Sequence, residues 1–154
     1  GDMIEHVTFE SSTYNTVPFR FEAGTPSIAE GIGLGAALDW LASIDFDAAT
    51  AHEQAVFEYA REQLQTIDGL RLIGTAPDAA GAISFAIDDI AASDLGTLLD
   101  HQGIAVRTGH HCSMPALQAM GESGTTRASF GLYNTRDDVD ALVRGLQVAK
   151  DILA

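Results

Sequence analysis

The sequence has one cysteine among its 154 residues. That excludes an internal disulfide and a multi-cysteine metal site, and it fits a reducing compartment such as the cytoplasm. Basic side chains are also scarce: 8 Lys and Arg stand against 22 Asp and Glu, for a formal charge of -14. Such a chain repels phosphate backbones and anionic lipid, so nucleic acid and membrane surfaces are poor partners. Solubility or adaptation to salt is the plain reading of the acidity. Lys150 is the one lysine. No apolar run reaches the ~18 residues needed to cross a bilayer, and no charged segment leads into an apolar one as a signal peptide would. Repeats and low-complexity tracts are absent.

What remains is an ordinary globular composition, 46% hydrophobic and 19% charged, at a length that suits one domain. The opening Gly1-Asp2-Met3 is not a natural initiation and points to a piece of something larger. His6 to Phe21 mixes Thr, Tyr, Val and Phe with Ser and Asn, which predicts an extended arm or hairpin. A helix is expected from Thr25-Pro26 to about Ser43, with Ile28, Ile32, Leu34, Leu38 and Leu41 as its apolar face. A second is expected over Ala48 to Ile67, where Val56, Ala60, Leu64 and Ile67 recur at helical spacing.

Strands are expected at Leu70–Ile73, Ala82–Ile87, Ile104–Arg107 and Arg127–Leu132, with a turn-rich link over Gly74–Ala80. A helix from Ser93 to His101, a short one at Ala116–Met120 and a capped amphipathic helix after Thr135 complete the pattern. Helices alternating with short strands indicate an α/β (α+β) sandwich: a small, mostly antiparallel sheet with helices on one face.

Three segments could carry chemistry. In Arg107-Thr-Gly-His-His-Cys112-Ser-Met-Pro115, a glycine, two histidines and the lone cysteine follow a strand. Loops on a rigid scaffold are where reactive groups are placed. A thiol beside Arg107, His110 and His111 is a candidate nucleophile, against the alternative of a buried structural cysteine. Adjacent histidines rarely both reach one ion, and no cysteine cluster supports them, so no metal is expected. Arg127, opening a strand, could hold a carboxylate in a two-pronged grip, or be a surface charge. Gly24 and Thr25, ahead of a helix, could meet a phosphate, or simply cap the helix. Gly31-Ile-Gly33-Leu-Gly35-Ala36 mimics a dinucleotide fingerprint, but it falls inside a helix and not at a strand-to-helix turn.

Together, VRTGHHCSMP (Val106 to Pro115), RASFGLYNTRDDVDALVRGL (Arg127 to Leu146) and FRFEAGTPSIAEGIGLGAAL (Phe19 to Leu38) carry a resemblance over nearly the whole chain. The sequence resembles the C-terminal portion of group II cysteine desulfurases and selenocysteine lyases, among the class V aminotransferase-like enzymes. The resemblance implies the C-terminal domain of a fold-type I enzyme that uses pyridoxal 5'-phosphate. It makes Cys112 the thiol that takes sulfur from the substrate as a persulfide, and Arg127 the grip on the substrate α-carboxylate. It gives Gly24 and Thr25 to the cofactor phosphate of a neighbouring subunit. Arg107, His110 and His111 become positioning residues of the cysteine loop.

The resemblance divides the chain into an arm and phosphate segment, 1–25, and a small α/β domain with its leading helix, 26–154. It implies L-cysteine or L-selenocysteine as substrate, L-alanine as product, a homodimer, and a sulfur-acceptor protein in iron–sulfur cluster assembly. One departure is plain. The family's Schiff-base lysine sits in a Ser-x-His-Lys setting, whereas Lys150 lies on a solvated helix face. The lysine-bearing N-terminal domain is therefore expected to be missing, and the chain alone to be inactive. A selenocysteine lyase and a cofactor-free persulfide carrier are the competing readings.

Overall fold

The computed structural model describes residues 1–77, 79 and 81–153. The link expected over Gly74–Ala80 therefore includes two residues outside the described ones. The chain divides into two compact units, Gly1–Asp45 and Phe46–Ala154. The leading helix thus groups with the arm, where the sequence reading put the boundary at residue 25.

In the first unit, β1 (Ile4–Val7) and β2 (Ser12–Tyr14) form an antiparallel hairpin with an irregularity between Ile4 and His6. Thr8 closes its tip: Thr8 Oγ1 accepts from the amides of Glu10 (3.2 Å) and Ser11 (3.0 Å). This is the local side-chain-to-backbone bonding that makes threonine a turn residue. After a single 3-10 turn at Phe19–Phe21 comes α1 (Ile28–Ala42). The helix begins two residues later than Pro26. Ser27 is the flanking residue, with a non-helical ψ of 77°, and its carbonyl accepts the first bond, from Gly31 N at 3.0 Å. The expected apolar face exists as a pattern but covers nothing: Ile28, Ile32, Leu34 and Leu38 are 55–71% exposed, and no residue of 1–45 is buried.

The second unit has its own core. Its sheet runs β3 (Leu70–Ile73), β4 (Ala82–Ile87), β6 (Thr125–Ser129), β5 (Arg107–Gly109), antiparallel throughout. Alternation along β4 puts Ile83, Phe85 and Ile87 inward, and the pairing puts Ala128 and Thr126 of β6 beside them. Against this face lie α2 (Phe46–Leu64), α3 (Ala92–Asp100) and α5 (Arg136–Leu153), through Val56, Phe57, Ala60 and Leu64, then Leu95 and Leu99, then Val139, Leu142, Leu146 and Ala149. Full burial of a side chain such as Phe85 contributes roughly 1.5–3 kcal/mol. The expected architecture, a small antiparallel sheet with helices on one face, is what the chain adopts.

Two strands moved from where the sequence put them. Ile104 and Val106 pack against the core, but the ladder starts only at Arg107, opposite Arg127. Apolar residues there marked burial and not pairing. β6 begins at Thr125 and stops at Ser129, because Gly131–Asn134 closes a turn: Gly131 N donates to Asn134 Oδ1 at 2.9 Å, and Asn134 N to Gly131 O at 2.9 Å. α2 stops at Leu64, three residues short of Ile67, and the short helix α4 runs Met114–Ala119. At Thr135, Asp138 accepts from the backbone N–H at 2.9 Å, which is the reciprocal half of the expected capping box.

Candidate active site

β5 fixes the site. It packs on α3 through Gly96, where a β-carbon would lie 2.5 Å from Thr108 Cγ2, so only glycine lets the strand sit this close. Pairing of Arg107 with Arg127 sets the two guanidinium-bearing residues opposite each other, on the face of the sheet away from Ile83, Phe85 and Ala128, with Ser84 of β4 on the other side of Arg127. Like charges directly opposite are unfavourable unless an anion lies between or beside them. Among the described residues neither arginine has an ion pair, and the buried Nε of Arg127 has no hydrogen-bond partner. An unsatisfied buried donor on a cation is a place for a carboxylate. Two acids of this unit are already paired: Arg71 holds Glu122 at 2.7 Å and Asp88 at 3.1 Å.

The cysteine follows on a tight turn. His111 and Cys112 have φ of 52° and 61°, and Ser113 N donates to His110 O at 2.9 Å. Positive φ at both central residues is the pattern of a type I′ turn. Histidine tolerates that region better than most residues, cysteine does not, and such strain costs roughly 1–3 kcal/mol per residue. The turn leaves Cys112 exposed. Its sulfur is 3.9 Å from an Arg107 Nη, a weak contact from cation to sulfur. Cys112 N donates to His110 Nδ1 at 3.2 Å, so the neutral His110 ring carries its proton on Nε2. His111 turns inward, with Nε2 2.9 Å from Thr125 Oγ1 and 3.2 Å from Thr125 O. Burial lowers its pKa below the ordinary histidine value. Arg127, Arg107 and His110 push the same way, while the bond to the Thr125 backbone opposes them.

Arg107, His110, His111, Cys112 and Arg127 thus share one strand pair and its turn. Gly24 and Thr25 lie in the other unit, both exposed, before α1. Thr125, fully buried, and Ser84 were not singled out from the sequence. Thr125-Thr126 ahead of Arg127 reads as loop, and nothing local announces a histidine partner 14 residues away. A cleft of about 710 Å³ opens beside this region, between Arg71, Asp88, Ser93 and Glu122 on one part and Gly109 and Thr126 on another. None of the five site residues lines it. Among the described residues no three His, Cys, Asp or Glu side chains group to hold a metal, and no helix is long and apolar enough to cross a membrane.

The arrangement is that of an exposed thiol on a turn after β5, with two facing arginines on the strand pair behind it, on a helix-backed antiparallel sheet. The profile of the aminotransferase class-V family matches residues 1–142, and the chain belongs to that family. Within it, the chain is 52% identical to a probable cysteine desulfurase of Streptomyces coelicolor, over 96% of this chain and 36% of that protein. It is 42% identical to a cysteine desulfurase of Haloferax volcanii, over 100% of this chain and 36% of that one. Among solved structures it is similar to the cysteine desulfurase CsdA (S-sulfonic acid) from Escherichia coli, with a TM-score of 0.86 at 39% identity, over 100% of this chain and 38% of that one. The chain therefore spans somewhat over a third of the length of these relatives.

Pyridoxal phosphate is the cofactor of such enzymes, and the residues present fit only part of its needs. The bare Nε of Arg127 fits the carboxylate of an amino-acid substrate. The single lysine does not fit as an anchor: Lys150 Nζ donates to Asp68 O at 2.5 Å and pairs with Asp68 Oδ2 at 3.6 Å, at the far end of α5.

Proposed function

We propose that this chain is the sulfur-accepting and substrate-gripping portion of a cysteine desulfurase. The observation that carries the reading is an exposed Cys112 on a strained turn, its sulfur 3.9 Å from Arg107, which pairs across the ladder with Arg127, whose buried Nε has no partner. Arg127 binds the α-carboxylate of L-cysteine. The Cys112 thiolate attacks the substrate sulfur, and the substrate Cβ–S bond breaks. L-Cysteine and the enzyme thiol become L-alanine and an enzyme persulfide, with no external oxidant. The cofactor, when bound, supplies the electron sink that the substrate's α-carbon needs. Arg107 lies against the sulfur and favours negative charge there, while His110 fixes the turn through the Cys112 amide. Gly24 and Thr25 are assigned to the phosphate of a cofactor held mainly by another part of the enzyme. The lysine anchor lies in the portion of the relatives that this chain does not span.

The persulfide would pass to an acceptor protein, in a cytoplasmic pathway such as iron–sulfur cluster assembly. The exposed Phe9, Phe21 and Ile32 of the first unit support a homodimer whose arms reach a second subunit. A second reading, a cofactor-free persulfide carrier, is favoured by one observation: Lys150 is occupied by Asp68. Replacing the matching third of the Streptomyces relative by these 154 residues separates the two. Alanine release from L-cysteine, with a sulfur-atom mass gain on Cys112, is the expected result. Both should vanish in Cys112→Ser. Alanine release that survives Cys112→Ser sinks the proposal.

A further inference from the structure

Among the described residues, one side chain ties the cysteine turn to β6. His111 reaches Thr125, and Thr125 is a fixed post: fully buried and paired with Gly109 across the ladder. A carbonyl oxygen only accepts, so the contact to Thr125 O requires the proton on Nε2. In that neutral ring Nδ1 is bare, and it is buried without a partner. A second proton would place an N–H there with no acceptor. It would also add a positive charge facing Arg127 of β6, Arg107 of β5 and His110 of the turn itself.

We propose that His111 is a positioning residue for Cys112: as a neutral ring it clasps the turn to Thr125 and holds the thiol in place, and as a cation it lets the turn go. This rests on the reading of Cys112 as the sulfur acceptor. The direction of the pH effect follows from linkage. A histidine held neutral by its surroundings titrates below its ordinary value of 6.5, so the clasp is complete above that pH and is lost as pH falls through the lowered value.

The test is an NMR titration of the isotopically labelled 154-residue chain, following the His111 ring, the Cys112 amide and the Thr125 methyl. The three signals should share one midpoint below 6.5. In His111→Asn, where asparagine tolerates positive φ and keeps an amide donor, the shared transition should disappear and the turn signals should stay at their high-pH positions. In Thr125→Val the His111 midpoint should move, since a hydroxyl contact is lost without change of shape. A His111 midpoint at or above 6.5 overturns the proposal. So does a Cys112 amide that follows His110, whose Nδ1 accepts its N–H, while the Thr125 methyl stands still. No sulfur donor or cofactor enters the measurement. A failed transfer to Cys112 therefore counts against the desulfurase reading and leaves the clasp untouched.

Discussion

The two units of this chain use apolar residues in opposite ways. In residues 46–154 apolar residues close a core: Phe85, Leu64, Leu99 and Leu146 have 0% exposure. In residues 1–45 the same residue types point outward: Phe9 is 107% exposed, Phe21 77% and Trp40 58%. An isolated hairpin and one helix cannot repay their ordering entropy without a surface to bury. The first unit is therefore written for contacts that its own residues do not make, whereas the second carries its stability with it. The proposed site follows that division: Cys112 and Arg127 sit in the second unit, and Gly24 and Thr25, proposed for the phosphate, sit in the first.

The largest expected effect tests this contrast directly. Phe85→Ala should cost about 3–5 kcal/mol in a urea melt, as a large-to-small change in a closed core. Leu38→Ala in α1 should stay within about 0.5 kcal/mol, as an exposed substitution does. Equal losses would break the comparison. Next in size, Gly96→Val should destabilise the second unit by about 1–3 kcal/mol, because its β-carbon would meet Thr108 and push β5 off α3. The same variant should shift the signals of the Cys112 turn, since β5 leads into it, and unmoved signals would detach the site from the packing that is held to place it.

The smallest effect is at the α5 cap. The Thr135 N–H, then the Asn134 side chain, holds the Asp138 carboxyl below its ordinary value of 3.8. Its contribution is therefore present above that value and lost as pH falls through the lowered one. A wild-type acid melt should be steeper there than that of Asp138→Asn, and identical profiles would remove the cap from the account.

Much of the second unit was legible from the sequence for a physical reason. Leu70–Ile73 and Ala82–Ile87 are short, mostly apolar and bounded by turn formers, Gly69 and Gly74 for the first, Gly81 and Asp88 for the second, and they form strands with those bounds. β5 was displaced because burial and pairing separate there: Ile104 and Val106 fill the core while the ladder begins beyond them. Cys112, Arg127 and the two histidines stood out by type and motif. What could not be read was the cross-strand register that sets Arg107 opposite Arg127, or the clasp from His111 to Thr125, since both depend on how distant strands align. The apolar stripe of α1 was read as a helix face, and the face is there but exposed. The pattern gives the face, but nothing in it says which polypeptide supplies the cover.

The central claim is that this chain holds the sulfur-accepting thiol and the carboxylate grip but no anchor for the cofactor. Incubation of the 154-residue chain with pyridoxal phosphate and L-cysteine, followed by an assay for alanine with Cys112→Ser as control, tests it most directly. The account predicts no alanine above the control. Alanine release that Cys112→Ser abolishes would contradict it, by showing that Lys150 or unanchored cofactor is enough.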